Sequence, residues 1–151
     1  MSAKPCVIVD IDGTLAEFDA EKMRDWVLGS EKQWPPFFEA MADAPPNAAI
    51  HKLVALLNAT EQAVVICSGR PAAFRLHTEA WLARHGIAYD GLYLRPDGDD
   101  GVADEEVKKG LLQQIVADGY RPWLAIDDRQ AVVDFWRRAG LTCLQCAPGN
   151  F

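Results

Sequence analysis

Four aspartates occur as two closely spaced pairs, and their spacing is the first indication of chemistry in this sequence. Asp10 and Asp12 flank a single isoleucine, and Asp127 and Asp128 are adjacent. Each pair follows a short apolar run of the kind that forms a buried strand. Carboxylates that converge beside such strands need a compensating cation, and Mg²⁺ prefers oxygen ligands of this kind. The two pairs together therefore predict a magnesium site.

A carboxylate next to Mg²⁺ can attack phosphorus. Asp10 is the candidate nucleophile, because the cation offsets the repulsion between the carboxylate and a phosphate. Asp12 lies two residues further on, where it can give a proton to the leaving oxygen and later take one from the attacking water. Lys108 would supply a fixed positive charge against the charge that develops during transfer. These residues predict phosphoryl transfer through an aspartyl-phosphate intermediate.

Two hydroxyl side chains accompany these charged residues. Thr14 follows the first aspartate pair after Gly13, a residue that allows close approach of the backbone. Ser68 follows a second apolar run. Both hydroxyls are candidates to donate hydrogen bonds to phosphate oxygens.

The elements that must position these residues alternate between strands and helices. Apolar runs predict strands at residues 7–9, 63–67 and 123–126, with weaker candidates at 92–94 and 141–144. Helical patterns cover residues 48–58, 72–85, 104–118 and 130–139. The alternation predicts a Rossmann-like α/β fold, a parallel sheet flanked by helices. Ligands of such sheets bind beyond the carboxyl ends of the strands, so the candidate residues should meet there.

Residues 17–46 interrupt the alternation and are interpreted as a small insertion over that end of the sheet. The segment contains Trp26, Trp34, Phe37 and Phe38 together with two pairs of prolines. One or two short helices are expected here, but no large cap domain, and residues 1–151 are expected to form a single domain. The aromatic side chains are expected in the core in preference to a base-stacking platform.

Composition limits the class of protein. The formal charge is −7, from 15 basic and 22 acidic residues, which disfavours non-specific nucleic-acid binding but not a basic cluster at one site. No signal peptide or membrane-length apolar run is expected, and four cysteines are too few for a disulfide scaffold, so a cytoplasmic protein is predicted. Cys143 and Cys146 are three apart on a predicted strand and should face opposite sides, so no zinc is expected.

The order of these motifs resembles the haloacid dehalogenase superfamily. Residues 7–15 resemble its first motif, Ser68 its second, Lys108 its third, and Asp127 with Asp128 its fourth. The resemblance implies a Mg²⁺ ion bound by Asp10, by the backbone carbonyl of Asp12 and by Asp128. It further implies that Asp127 supports the ion less directly or through a bridging water.

A closer resemblance, to the phosphatase domain of phage polynucleotide kinase, covers most of the chain. It rests on residues 124–129, 132–133, 136–138, 140 and 147–151, with Ser68-Gly69-Arg70. That family removes 3′-phosphates from nucleic-acid ends, and the resemblance implies that Arg70 helps to bind phosphate. Asp104, ahead of Lys108, also fits that domain, and its role is left open between a helix cap that orients the lysine and a role in the site.

The sequence departs from that family in two respects. It contains no Gly-x-x-x-x-Gly-Lys-Ser/Thr motif of a kinase half. The family also has an arginine soon after the first motif, where residues 17–21 are mostly acidic, and Lys22 or Arg24 are the candidates to bind substrate in its place. Arg95 and Arg129 are further cations expected near the site.

Three functions remain open at this point. The first is a phosphatase for 3′-phosphate ends of nucleic acid, and the second is a small-metabolite or nucleotide phosphatase of the same superfamily. The third is a non-catalytic phosphate-binding or phosphoacceptor module. Asp12 favours the hydrolases, because a phosphoacceptor needs no general acid two residues after its nucleophile.

Overall fold

A parallel sheet of five strands forms the centre of the molecule. The computed structural model describes residues 3–19 and 34–151. The strands are β1 (Lys4–Val9), β2 (Ala63–Pro71), β3 (Gly91–Arg95), β4 (Tyr120–Asp127) and β5 (Thr142–Gln145). Their order in the sheet is β3-β2-β1-β4-β5, and every neighbouring pair is parallel. β1 therefore lies in the middle, between β2 and β4.

Five α-helices of the described residues flank the sheet. They are α1 (Trp34–Met41), α2 (Ala48–Asn58), α3 (Arg75–Arg84), α4 (Asp104–Ala117) and α5 (Gln130–Arg138). Helices α1, α2 and α3 contribute to the core on one face of the sheet. Helices α4 and α5 contribute to the core on the other face. The result is the three-layer α/β architecture that the alternating pattern predicts.

The alternation of side chains along β1 builds both cores at once. Val7 and Val9 belong to one core cluster, whereas Cys6 and Ile8 belong to the other. All four side chains are at most 1% exposed. Because successive side chains of a strand point to opposite faces, a strand covered on both faces must be apolar throughout. This burial leaves Asp10, the first residue after β1, at the carboxyl end of the central strand.

The predicted elements are present, with differences at their ends. α2 has the predicted bounds, and the Asn47 side chain begins it by accepting hydrogen bonds from the amides of Ala49 and Ile50 at 3.1 and 3.3 Å. β2 is longer than predicted and includes Ser68 and Arg70 within the strand. The predicted helix at residues 72–85 begins with a 3₁₀ turn, and its α-helical part is α3.

The described part of the predicted insertion contains one short helix, α1. Trp34, Phe37, Phe38 and Met41 on this helix are buried. The expectation that these aromatic residues belong to the core is thus met for Trp34, Phe37 and Phe38, and no large cap covers the sheet in the described residues. Trp26 lies outside those residues. None of the helices in the described part of the chain is long and apolar enough to cross a membrane.

Candidate active site

A pocket opens at the carboxyl ends of β1, β2 and β4. Its empty space, counted together with the open solvent at its mouth, is about 500 Å³. The residues that line it include carboxylates, cations and aromatic side chains: Asp10, Asp12, Phe18, Trp34, Phe37, Ser68, Arg70, Asp104, Lys108, Asp127, Asp128, Arg129 and Phe151. The strand-end residues that the sequence singles out therefore converge on one pocket, as expected for a parallel sheet.

Lys108 lies at the floor of the pocket and joins two strand ends. Its Nζ donates to Asp10 Oδ1 at 2.9 Å and to Asp127 Oδ2 at 2.7 Å. Burial opposes the charged form of the lysine, but the carboxylates of Asp10 and Asp127 outweigh it and leave the pKa of Lys108 well above its usual value. The same side chain is thus fixed as a cation between the candidate nucleophile and the fourth motif.

Asp10 is buried at the centre of a group of carboxylates. Its pKa is raised well above the usual value, first by burial and then by the negative charge of Asp127, against the opposing effect of Lys108. Burial and the charge of Asp127 also raise the pKa of Asp128 to about 6. In both residues the local environment disfavours the ionised form. A cation bound at this position would favour the ionised form and so lower both pKa values.

Asp127 and Asp128 have different partners although they are adjacent. Asp127 Oδ1 accepts from the amides of Asp128 and Arg129, and Oδ2 accepts from Trp136 Nε1 as well as from Lys108. Within the described residues, Asp128 is the pocket carboxylate that no lysine or arginine pairs with, and its Oδ1 accepts from Thr14 Oγ1 at 3.4 Å. Asp128 consequently has the freer oxygens of the two.

The donor set and the space around it fit a divalent cation. Oxygen atoms of Asp10, Asp127 and Asp128 all lie within 4.8 Å of one another, and oxygen ligands suit Mg²⁺. Among the described residues, five carboxylates and three cations line the pocket, so a bound cation would offset the excess of negative charge. At Gly13, where φ is +88°, an added Cβ would lie 2.1 Å from Asp128 Oδ2. The Asp128 carboxylate therefore occupies space that is open only because residue 13 is a glycine.

Asp12 turns away from the three clustered carboxylates and pairs with Arg70. Arg70 Nη2 donates to Asp12 Oδ1 at 2.6 Å, and Nε donates to Oδ2 at 2.9 Å. The guanidinium is only 3% exposed, and it also lies 5.0 Å from the ring centre of Phe38. Two parallel hydrogen bonds fix the orientation of the Asp12 carboxylate at the pocket wall.

Of the two roles left open for Asp104, the helix cap is wrong. Asp104 is the first residue of α4, the capping position is Ala103, and no side chain caps this helix. The Asp104 carboxylate instead accepts hydrogen bonds from Arg95 and Arg129. The guanidinium groups of Arg95, at the end of β3, and Arg129, two residues after β4, compete more strongly for this carboxylate than a backbone amide does. Charge-assisted hydrogen bonds are the stronger kind.

Arg95 is not available to substrate, contrary to its expected place among the binding cations. Its side chain is fully buried. Its other donors reach Gly69 O at 2.8 Å, Asp99 O at 2.5 Å and Val102 O at 2.6 Å. Arg95 therefore organises the segment between β3 and α4, whereas Arg129 lines the pocket.

The remaining candidates differ in their position. Ser68 lines the pocket, and its Oγ accepts from the amide of Arg70 at 3.1 Å. Thr14 is fully buried and contacts Asp128 behind the pocket wall, so it is placed to orient that carboxylate. Lys22 and Arg24 lie outside the described residues, and their substrate-binding role stays a prediction.

The two cysteines of the Cys-x-x-Cys motif lie on opposite faces of the sheet. Cys143 belongs to the core beside α4 and α5, and Cys146 packs against the other core. Both are free thiols. This arrangement follows from the alternation of side chains along a strand and does not suit a shared tetrahedral metal site.

Sequence reasoning missed several residues of this site. The indole of Trp136 donates to Asp127 at 3.2 Å, and Phe18 and Phe151 border the pocket. Trp136 is also a buried core residue of α5. A signal for Phe151 existed in the segment 147–151, which takes part in the resemblance but has no obvious chemistry.

Comparisons with known proteins agree with this geometry. A family model of the polynucleotide kinase PNKP phosphatase domain matches residues 4–151. A chain from the Pnkp1/Rnl/Hen1 RNA repair complex has 30% identity and a TM-score of 0.80. That match covers 99% of this chain but 44% of the other, so this chain spans less than half the length of its relative.

Two more distant structures show the fold alone. The Class C acid phosphatase from Bacillus anthracis with tungstate bound has 16% identity and a TM-score of 0.68, over 99% of this chain and 68% of that one. A phospho-aspartyl intermediate analogue of phosphoserine phosphatase has 16% identity and a TM-score of 0.62, over 98% and 88% of the two chains. Since the family model extends over nearly the whole chain, this protein belongs to the PNKP phosphatase domains of the haloacid dehalogenase superfamily and is a phosphatase of that type.

Proposed function

We propose that this domain hydrolyses 3′-phosphate ends of nucleic acid through an aspartyl-phosphate on Asp10, with Mg²⁺ as cofactor. The observation that carries the mechanism is the position of Asp10, whose carboxylate is held by Lys108 at 2.9 Å on the floor of the pocket. Support for the substrate class comes from the family and from the RNA repair complex to which a relative belongs. The absence of a large cap over the described residues also leaves the pocket accessible to a bulky substrate.

Each step can be assigned to a side chain. An oxygen of Asp10 forms a bond to phosphorus while the bond from phosphorus to the sugar oxygen breaks, and Asp12 gives that oxygen its proton. Water then attacks the phosphoaspartate and gives a proton back to Asp12, which releases phosphate and restores Asp10. Arg70 orients Asp12 and, with Lys108 and Ser68, faces the transferred group.

The metal would be held by Asp10, by the backbone carbonyl of Asp12 and by Asp128. When bound, Mg²⁺ would offset the excess of carboxylates in the pocket and polarise the phosphate. Asp127 would contribute by holding Lys108, because both of its carboxylate oxygens already accept hydrogen bonds from the protein.

The nucleophile is tested with Asp10→Asn, which keeps the size of the side chain but removes the attacking anion. We expect kcat to fall at least about a thousand-fold on 3′-phosphorylated oligonucleotide and on aryl phosphate alike, with an unchanged circular dichroism spectrum. Asp12→Asn should lower kcat by about 10²–10⁴-fold. Asp43→Asn, at an exposed position far from the pocket, is the matched control and should keep full activity. Wild-type turnover by Asp10→Asn would exclude the covalent mechanism.

The substrate is tested by comparing kcat/KM for 3′-phosphorylated oligonucleotides, 5′-phosphorylated oligonucleotides, mononucleotides and sugar phosphates at one salt and Mg²⁺ concentration. The 3′-phosphorylated ends should give the highest value. If mononucleotides or sugar phosphates are better substrates, the domain is a metabolite phosphatase with the same chemistry.

A further inference from the structure

Two half-buried aromatic rings stand at the catalytic pocket. Phe18 and Phe151 both line it, and their ring centres are 5.3 Å apart with planes inclined by 37°. Trp34 and Phe37 line the same wall but are only 7% and 2% exposed. The aromatic wall thus passes from buried rings on α1 to partly exposed rings, with Phe18 lying 6.3 Å from Phe37.

The position of Phe151 is fixed by its own backbone. Gly149 packs so closely on the fourth motif that an added Cβ would lie 1.9 Å from Asp128 O. Its carbonyl accepts from the amide of Gln130 at 2.8 Å. Arg129 Nε donates to Phe151 O at 2.9 Å. The segment is therefore tied to the residues that carry the metal-site carboxylate, and the Phe151 ring is presented to the pocket by these contacts.

A cation supports this ring. The Arg129 guanidinium carbon lies 5.3 Å from the ring centre of Phe151, within the range of a cation–π interaction. Arg129 is itself held by the Asp104 carboxylate. Phe151 is thus held through both its backbone and its ring, and a preorganised ring loses little freedom when a planar group stacks on it.

We propose that Phe18 and Phe151 form a stacking site for the nucleobase attached to the sugar that bears the scissile phosphate. The polar floor of the pocket suits the phosphate, and the rings at its wall suit a planar, weakly polar group joined to that phosphate through a sugar. Every nucleobase has a π face, so the site would bind the terminal nucleotide without selecting its sequence. The inference rests on the proposed action on nucleic-acid ends, and it adds which part of the substrate these two residues bind.

The test is a cycle that removes the ring from the protein and the base from the substrate. One substrate is a short 3′-phosphorylated oligonucleotide, and the other is the same oligonucleotide lacking the base on its terminal sugar. In the wild-type protein with Mg²⁺, kcat/KM should be about 5- to 100-fold higher for the substrate with the base, the range expected for stacking of one base. In Phe18→Ala and in Phe151→Ala this ratio should fall towards one, while kcat/KM for the abasic substrate changes less than about threefold.

Two further variants separate stacking from packing. Phe18→Leu keeps an apolar side chain but removes the π face, so the ratio of kcat/KM with and without the base should fall most of the way to one. Phe18→Trp keeps a π face, so this ratio should stay close to the wild-type value. Phe74→Ala removes a half-buried ring outside the pocket and should leave the ratio unchanged. The inference is overturned if Phe18→Ala and Phe151→Ala lower kcat/KM equally for the two substrates. It is also overturned if the wild-type protein has the same kcat/KM for the substrates with and without the base. A wild-type preference for sugar phosphates over both oligonucleotides would instead overturn the proposed function.

Discussion

Asp127 and Asp128 show how two identical neighbouring side chains acquire different tasks. The Asp127 carboxylate accepts four hydrogen bonds, including those from Lys108 and Trp136. Asp128 faces Gly13 and Thr14 and has no cationic partner within the described residues. A carboxylate whose oxygens are engaged is a poor metal ligand, which supports the proposal that Asp128 holds the metal and Asp127 holds the lysine.

This proposal predicts that the two Asp→Asn variants differ in how much Mg²⁺ affinity and how much stability they lose. Asp128→Asn should weaken Mg²⁺ binding at least about tenfold, measured by calorimetric titration, because a direct ligand loses its charge. Asp127→Asn should weaken binding less but destabilise the fold more, because Lys108 loses a buried partner. Equal losses of Mg²⁺ affinity in the two variants would contradict the assignment.

At the scale of elements, the segment between β3 and α4 depends on one buried side chain. Arg95 projects from the end of β3 and donates to the carbonyls of Asp99 and Val102 and to the Asp104 carboxylate. Most of this acidic segment is exposed to solvent. The buried guanidinium gives a polar loop a fixed path and fixes the first residue of α4.

Replacement of Arg95 by Met should therefore cost far more than a surface substitution. It removes the donor to three backbone carbonyls and one of the two arginine partners of Asp104. We expect a loss of about 3–5 kcal/mol in the free energy of unfolding, measured by urea denaturation. Arg121→Met, on the exposed side of β4, is the matched control and should change it by less than about 0.5 kcal/mol. A similar, small effect of both substitutions would show that the Arg95 network contributes little to stability.

At the scale of the whole molecule, the site lowers the stability of the metal-free fold. The folded protein holds the pKa of Asp10 well above its usual value and that of Asp128 at about 6. Between pH 4 and pH 6 these residues make the folded state bind more protons than the unfolded state, so they lower stability as the pH rises through this window. For Asp128 the decrease in the free energy of unfolding is on the order of 1–3 kcal/mol.

Magnesium should reverse this loss, because it binds the ionised carboxylates. We expect Mg²⁺ to raise the melting temperature more at pH 7.5 than at pH 5, measured by differential scanning calorimetry with and without the ion. Asp128→Asn should melt at a higher temperature than wild type in the absence of metal at pH 7.5 and should respond little to Mg²⁺. A Mg²⁺-dependent shift of equal size at the two pH values would contradict this account.

The sequence by itself determined the fold class and the polar residues at the strand ends that line the pocket. Apolar runs that end in Asp10, in Ser68 and in Asp127 have only one common place in a parallel sheet, at the carboxyl ends of its strands. This reasoning is local, because burial of a strand on both faces requires an apolar run and a loop follows where polar residues begin. The bounds of α2 were equally predictable, since Asn47 has a side chain that caps a helix.

Only the tertiary structure decided which side chains pair with one another. Arg70 with Asp12, Arg129 with Asp104, and Phe151 with Phe18 are each distant in sequence, and their meeting depends on the strand order β3-β2-β1-β4-β5. Asp104 looked like a helix cap because an aspartate at a helix start has that preference locally. Arg95 at the end of β3 and Arg129 after β4 overrode this preference, since a charged partner within reach binds a carboxylate more strongly than a backbone amide does. Sequence spacing does not encode that reach.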